Sequence, residues 1–267
     1  MEKNYSRSAI LLLIFVALCF NSCNNNASSK KKLDRTVMES EKPAIDTSRV
    51  LPRLDLYRAK RFESVHAAVS GNPDKVYKLV LWGKKLGVIP PAIRQLTYLH
   101  SLDVSHNDLK ELPEELAELH YLQGFYAVGN QLTEFPRQII LLPVLDRIDL
   151  SENQIREIPG EIARMQQLRK LNLYGNSLSE IPPEVYQLEN LEILTLGKND
   201  LAGVSPEIAN LKKLRKLDLS ENHLKEIPWE VTNLQGTLTD LEIQGNEIPR
   251  EEIERLIEKM PSTNIRF

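Results

Sequence analysis

Between Val76 and Ile248 the apolar positions recur in a fixed phrase of 23 residues. The clearest copy runs Leu168, Leu171, Leu173, Asn176, Leu178, Ile181-Pro182, Val185 and Leu188, with polar residues between. The alternation at Leu171-x-Leu173 predicts a short strand buried on one side, with Asn172 and Tyr174 turned outward. The return segment is short and proline-rich, so it predicts a turn, an extended piece or one 3₁₀ turn. One copy alone cannot bury both its leucines and its Ile-x-x-Leu pair, so the copies must stack into a continuous core. An asparagine marks each copy, at Asn107, Asn130, Asn153, Asn176, Asn199 and Asn222, then at Asn246 after one extra residue near Gly236. Where the chain leaves the strand, that amide can donate to and accept from backbone groups otherwise buried unpaired.

These residues resemble the leucine-rich repeat family, in its 23-residue class with the Leu/Ile-Pro pair, found in bacterial proteins and in intracellular Ras-signalling scaffolds. The resemblance covers about two thirds of the chain. It implies an α/β repeat solenoid, a horseshoe of eight repeats with a parallel, concave β-sheet and a capping helix at each end. Three departures stand out: Lys84 replaces the asparagine of the first repeat, Phe125 and Ala127 replace two leucines of the third, and Ser205-Pro206 shifts the sixth repeat's proline by one place. Phe125 beside Ala127 is expected to conserve core volume, and the shifted proline to change a loop locally.

The flanks divide the chain further. Residues 53–75 are expected to form the N-terminal cap, with Phe62, Val65 and Val69 on one helix face within Tyr57–Val69 and Gly71-Asn72-Pro73 closing it. Residues 76–248 form the array. Residues 249–267 form the C-terminal cap, with Ile253, Leu256, Ile257 and Met260 on one face, acidic residues early and Lys259 late. With both ends covered, the array is expected to be monomeric.

Residues 1–22 read as a signal peptide, because Lys3 and Arg7 precede an uncharged apolar run from Ala9 to Phe20. As a helix that run is about 18 Å long, short of the ~30 Å hydrocarbon core. Phe20-Asn21-Ser22-Cys23 resembles a bacterial lipoprotein signal of the looser kind found in Bacteroidota, which implies lipidation at Cys23. Asn24 is not the aspartate that retains enterobacterial lipoproteins in the inner membrane, so the expected location is the outer membrane, on either side. The alternative is an ordinary secretory signal with an incidental cysteine. Residues 23–52, with Asn24-Asn25-Asn26 and Lys30-Lys31-Lys32, are expected to be a flexible tether.

Composition changes this picture little. The chain has 42% apolar and 27% charged residues and a net charge of −3, so nothing points to nucleic acid. Cys19 and Cys23 are the two cysteines, which leaves the array without a disulfide framework or a cysteine metal site. No cofactor or metal is expected. The arrangement of Asp103, Ser105 and His106 resembles a carboxylate, hydroxyl and base, but a repetitive open sheet supplies no pocket to exclude water. No Gly-rich phosphate loop and no HExxH spacing occur. The expectation is a protein without catalysis.

Family resemblance implies that partners bind the concave face, whose outward positions include Val80, Trp82, Asp103, Tyr126, Val128, Asp149, Asn172, Tyr174, Thr195, Asp218 and Glu242. Compared within this chain, Asp149-Leu150-Ser151 and Asp218-Leu219-Ser220 are the default phrase, and Val80, Trp82, Tyr126, Val128, Tyr174 and Ile193 break it. Trp82, Tyr126 and Tyr174, with the two valines, are expected to form an apolar and aromatic stripe. Asp218, Glu221, Asp240 and Glu242 form either an acidic patch for a basic partner or a solvated polar face. The functional expectation is a recognition module on the cell envelope, held to the membrane by its lipid and binding another protein or a glycan-bearing surface. A structural or adhesive envelope protein is the alternative, or a cytoplasmic signalling scaffold if the leader is retained.

Overall fold

A computed structural model describes residues 44–267. The signal segment, Cys23 and most of the proposed tether lie outside the described residues. Ten parallel strands follow one another in sequence order in a single open sheet. Eight belong to the repeats: β2 (Lys78–Val80), β3 (Ser101–Asp103), β4 (Gly124–Tyr126), β5 (Arg147–Asp149), β6 (Lys170–Asn172), β7 (Ile193–Thr195), β8 (Lys216–Asp218) and β9 (Asp240–Glu242). The register is equivalent throughout, so Leu79, Leu102, Phe125, Ile148, Leu171, Leu194, Leu217 and Leu241 stack in one row. Each of these side chains is 2% exposed or less. The stack of parallel strands and returns is the repeat solenoid that the resemblance implies.

The return segments are 3₁₀ turns, at Pro91–Gln95, Glu114–Glu118, Arg137–Ile139, Gly160–Arg164, Pro183–Gln187, Pro206–Asn210 and Trp229–Leu234. Proline explains the choice: in most copies it precedes the turn or occupies its first position, where its fixed φ fits and its missing N–H costs nothing. The turns send Ile93, Leu116, Ile139, Ile162, Val185, Ile208 and Val231 inward, all fully buried. The shifted proline of repeat six leaves the path unchanged, against expectation. Pro206 takes the first position of its turn, as Pro183 does one repeat earlier, and Ser205 caps it by accepting from the Glu207 N–H. Phe125 and Ala127 are both fully buried.

The asparagines bind repeat to repeat. The Asn153 Nδ2 group donates to the carbonyls of Leu150 (3.0 Å) and Ser151 (3.1 Å) in its own repeat and of Ala127 (2.9 Å) in the one before. Its Oδ1 accepts the Leu132 N–H at 3.1 Å. Asn107, Asn130, Asn176, Asn199, Asn222 and Asn246 repeat this, each with one bond to a carbonyl of the preceding repeat. The residue before each asparagine is left-handed. Glycine serves at Gly129, Gly175 and Gly245, and at Gly83 before Lys84, while His106, Glu152, Lys198 and Glu221 hold φ of 50–55°. Those four side chains carry a cost of roughly 1 kcal/mol each, which the surrounding bonds offset.

The N-terminal cap differs from the single helix expected over Tyr57–Val69. It is two short helices, α1 (Arg53–Arg58) and α2 (Val65–Val69), with a two-residue strand, β1 (Arg61–Phe62), paired to β2 between them. The break falls where Ala59 turns extended and Ser64 caps the next helix by accepting from the Ala67 N–H. Pairing with the exposed edge of β2 satisfies backbone groups that one continuous helix would leave open. Phe62 therefore sits on a strand rather than on a helix face with Val65 and Val69.

At the other end, α3 (Arg250–Lys259) buries Ile253 and Leu256, followed by Met260, while Ile257 stays 40% exposed. A final strand, β10 (Asn264–Arg266), pairs with β9. The tether boundary also needs correction. Residues 44–52 are not a loose linker, since Asp46, Arg49 and Leu51 are hydrogen-bonded to the side of repeats two and three.

Candidate functional site

Strand alternation turns three rows of side chains onto the concave face. The row at the start of each strand includes Lys78, Arg147, Lys170 and Lys216, the middle row Asp103, Asp149, Asp218 and Glu242, and the last row Trp82, Val128 and Tyr174. Basic side chains at four of the strand starts, interrupted by Ser101, Gly124, Ile193 and Asp240, thus stand beside the carboxylates of the middle row. Of the first row, Ile193 and Asp240 are among the sequence-based candidates, whereas its four basic residues, which the same alternation places there, are not.

The candidate residues differ in how much they offer a ligand. Trp82 is 57% exposed, whereas Val80, Asp218 and Glu242 are almost closed off at 8, 5 and 8%. Asp103, Tyr126, Val128, Asp149, Asn172, Tyr174 and Thr195 are half-buried. Asp149 is tied down by the Ser151 hydroxyl at 2.6 Å and by the Asn172 amide at 3.0 Å. Asp218 likewise accepts from Ser220 Oγ at 2.6 Å. Glu242 Oε1 takes both Lys216 Nζ (2.9 Å) and Arg266 Nη1 (2.8 Å). Hydrogen bonds from Thr239 and Asn264 hold the Asp240 carboxyl below its usual range. The four carboxylates of repeats seven and eight are therefore engaged within the array, Glu221 by the Tyr174 hydroxyl at 3.3 Å.

The aromatic residues occupy separate places. The Trp82 ring meets His106 edge-on, with centroids 5.3 Å apart. Tyr126 folds back over Gly124, where an added Cβ would come within 3.0 Å of the phenol ring. Burial pushes its hydroxyl above the ordinary phenol range, with Arg147 acting against that shift. Tyr174 leans the other way, over Gly197 toward Glu221; a Cβ at Gly197 would stand 3.0 Å from its ring and 2.6 Å from Ser220 Oγ. The fold makes two glycine-floored niches and one exposed indole. It does not bring Trp82, Tyr126 and Tyr174 into contact with one another. Gln244, in the last row, carries the one side-chain oxygen among the described residues that is buried with no hydrogen-bond partner.

The triad-like residues are not arranged for catalysis. The Ser105 hydroxyl accepts the Val128 N–H at 3.1 Å, Asp103 accepts the Ser105 N–H at 3.0 Å, and His106 turns to Trp82. Among the described residues no group of three or more His, Cys, Asp or Glu side chains could hold a metal.

Segments 128–178, 166–224 and 189–248 match a leucine rich repeat family model, and 98–119 match a second model of the same description. With the ten-stranded sheet and the asparagine ladder, this decides the family. The chain is a leucine-rich repeat protein. This leucine-rich repeat protein is similar in structure to one from Leptospira interrogans, 33% identical with a TM-score of 0.60, the match covering 71% of this chain and 54% of that one. It is also similar to an internalin of Listeria monocytogenes, 26% identical with a TM-score of 0.64, covering 72% and 54%. A plant peptide hormone receptor in complex with the peptide RGF2 is 26% identical with a TM-score of 0.60, covering 74% of this chain and 36% of that one. Among curated relatives, leucine-rich repeat-containing protein 58 of Xenopus tropicalis is 39% identical over 67 residues, 25% of this chain and 19% of the relative. The chain thus spans about half the length of the two bacterial structures and a fifth of that relative.

Proposed function

We propose that this leucine-rich repeat protein is a recognition module that binds another protein on its concave face and works from the bacterial envelope through a lipid on Cys23. The observation that carries the binding reading is the exposure of Trp82 on the same face as the half-buried Tyr126, two strands away. Those rings are not needed to hold the repeats together, and exposed aromatics in a rigid frame offer large contact area at small entropic cost. The likeness to a receptor in complex with a peptide supports the same reading. The basic side chains at the strand starts, beside the carboxylates of the middle row, suit a partner of mixed charge and fix its register.

The joint variant Trp82→Ala/Tyr126→Ala is expected to weaken partner binding by at least about tenfold with the melting temperature unchanged, measured by titration calorimetry on the captured partner. Undiminished affinity would remove the concave rings from the site. Anchoring is tested separately, by intact mass and fractionation of the native protein beside Cys23→Ser. A membrane-bound species that lacks residues 1–22 and carries acyl mass is expected. A soluble species with residues 1–22 intact would overturn the envelope location and leave the binding surface as it stands.

A further inference from the structure

Residues 46–53 cross the side of the array where the chain enters its strands, and every polar contact they make there is to the first four repeats. The Asp46 N–H donates to the Tyr121 hydroxyl at 3.2 Å. The Arg49 guanidinium stacks on the Tyr98 ring at 4.8 Å and donates to its hydroxyl. Leu51 is gripped at both backbone groups: its N–H donates to His100 Nε2 at 3.0 Å, and its carbonyl accepts from Gln123 Nε2 at 2.7 Å. Arg53 then pairs with Asp146.

His100 is the centre of this clasp, and it is fully buried. Its ring lies 5.6 Å from that of Tyr77 and 5.9 Å from that of Tyr121. Nδ1 sits on the Tyr98 carbonyl, which accepts and cannot donate, so Nδ1 carries the hydrogen and Nε2 is left with a lone pair. That lone pair receives the Leu51 N–H. A proton on Nε2 would set donor against donor at Leu51, and the new N–H would turn to the Arg49 carbonyl, 3.0 Å away.

The charged groups around the clasp give an imidazolium no counter-ion. Asp46 pairs with Arg49 and accepts from Ser48, Asp146 pairs with Arg53 and Arg147, and the Arg49 cation stands on the neighbouring Tyr98. The other titratable groups facing the ring are the phenols of Tyr77 and Tyr121, with Tyr98 against Tyr121.

We propose that residues 46–53 are a proton-released strap: protonation of His100 at Nε2 expels the Leu51 amide and frees the segment from repeats two and three. Burial holds the docked imidazole below its ordinary value, against the pull of the Tyr98 and Arg49 carbonyls. Undocking lets water reach the ring and returns it toward the ordinary imidazole value, so the undocked state binds more protons below that value. Docking is at full strength above the ordinary value. It weakens as the pH falls through it, by up to about tenfold per pH unit until the docked imidazole itself titrates. Release frees eight residues, a reach of up to about 26 Å, and uncovers Tyr98, Tyr121 and Gln123.

The test is hydrogen exchange on the full chain at pH 7.5 and 5.0, each corrected for the intrinsic exchange rate. Peptides covering residues 46–53 are expected to lose protection at least tenfold at pH 5.0, while those covering 168–200 keep theirs. In His100→Asn, which does not titrate, strap exchange should be the same at both pH values whatever its level. A second readout is the His100 ring itself, followed by NMR in the native chain, which should titrate below the ordinary imidazole value. Equal strap protection at both pH values in the native chain would overturn the proposal, as would a pH-dependent loss that persists in His100→Asn or a ring that titrates at or above the ordinary value.

Discussion

Asn153→Ala is expected to destabilise the protein by about 2 to 3 kcal/mol, read as the shift of its urea midpoint at constant slope. The reason is what one buried amide serves. The Leu132 N–H loses its acceptor, and the carbonyls of Ala127, Leu150 and Ser151 each lose one of two donors, keeping those from Asn130, Asn176 and the Gly129 N–H, all at a site 8% exposed. Each unsatisfied buried group costs roughly 1–3 kcal/mol, reduced where water or a small backbone shift can reach it. Asn172→Ala provides the contrast. That side chain faces the concave surface, where it donates to Asp149 and accepts the Tyr174 N–H, and its removal should cost under about 1 kcal/mol. Equal losses for the two would contradict the structural role of the ladder.

Phe125→Ala should cost about 4 kcal/mol, the middle of the range for aromatic truncations in a core. Phe125 occupies the stacked row between Leu102 and Ile148, and Ala127 on the same strand is too small to fill the space left behind. Phe125→Leu, which restores the side chain usual in that row, should cost less than about 1.5 kcal/mol. A solenoid holds together through nearest-neighbour contacts, so a lesion in the third repeat weakens the coupling between the two sides. The Ala variant is therefore expected to unfold in two steps by urea, with the repeats from 147 onward outlasting those before it. A single transition with a loss below about 2 kcal/mol would show that the row tolerates a cavity.

The array was legible in sequence because its period is written in side chains that have one physical use. A buried strand position needs Leu171 or its equivalent, and a turn that closes on three carbonyls needs Asn176 or its equivalent. The caps were less legible. The turn at Ala59 and Ser64 that divides Tyr57–Val69 depends on the open edge of β2, which is a tertiary feature. On the concave face, alternation named the exposed positions but not which side chains the fold spends on itself. Asp218 and Glu242 are indistinguishable from free carboxylates until Ser220, Lys216 and Arg266 are in place.

The strap was read as tether because Asp46-Thr47-Ser48-Arg49 is polar and short of apolar bulk. A signal did exist in the array. In the residue just before the strand, the first three repeats carry Tyr77, His100 and Gln123, whereas the next four carry Asp146, Arg169, Glu192 and Arg215. Two positions earlier, Tyr98 and Tyr121 give way to Val144, Gln167, Asn190 and Lys213. An uncharged, aromatic stretch on an otherwise charged side marks the ground that the strap covers.

The central claim is that the concave face does the binding, and site-specific photo-crosslinking in intact cells tests it most directly. A photoreactive residue is placed at Tyr126 on the concave face or, as the control, at Arg94 in the exposed 3₁₀ turn of the opposite face. The account predicts a protein adduct of one reproducible mass from position 126 and none from position 94. Adducts from position 94 alone, with the protein folded in both cases, would contradict it.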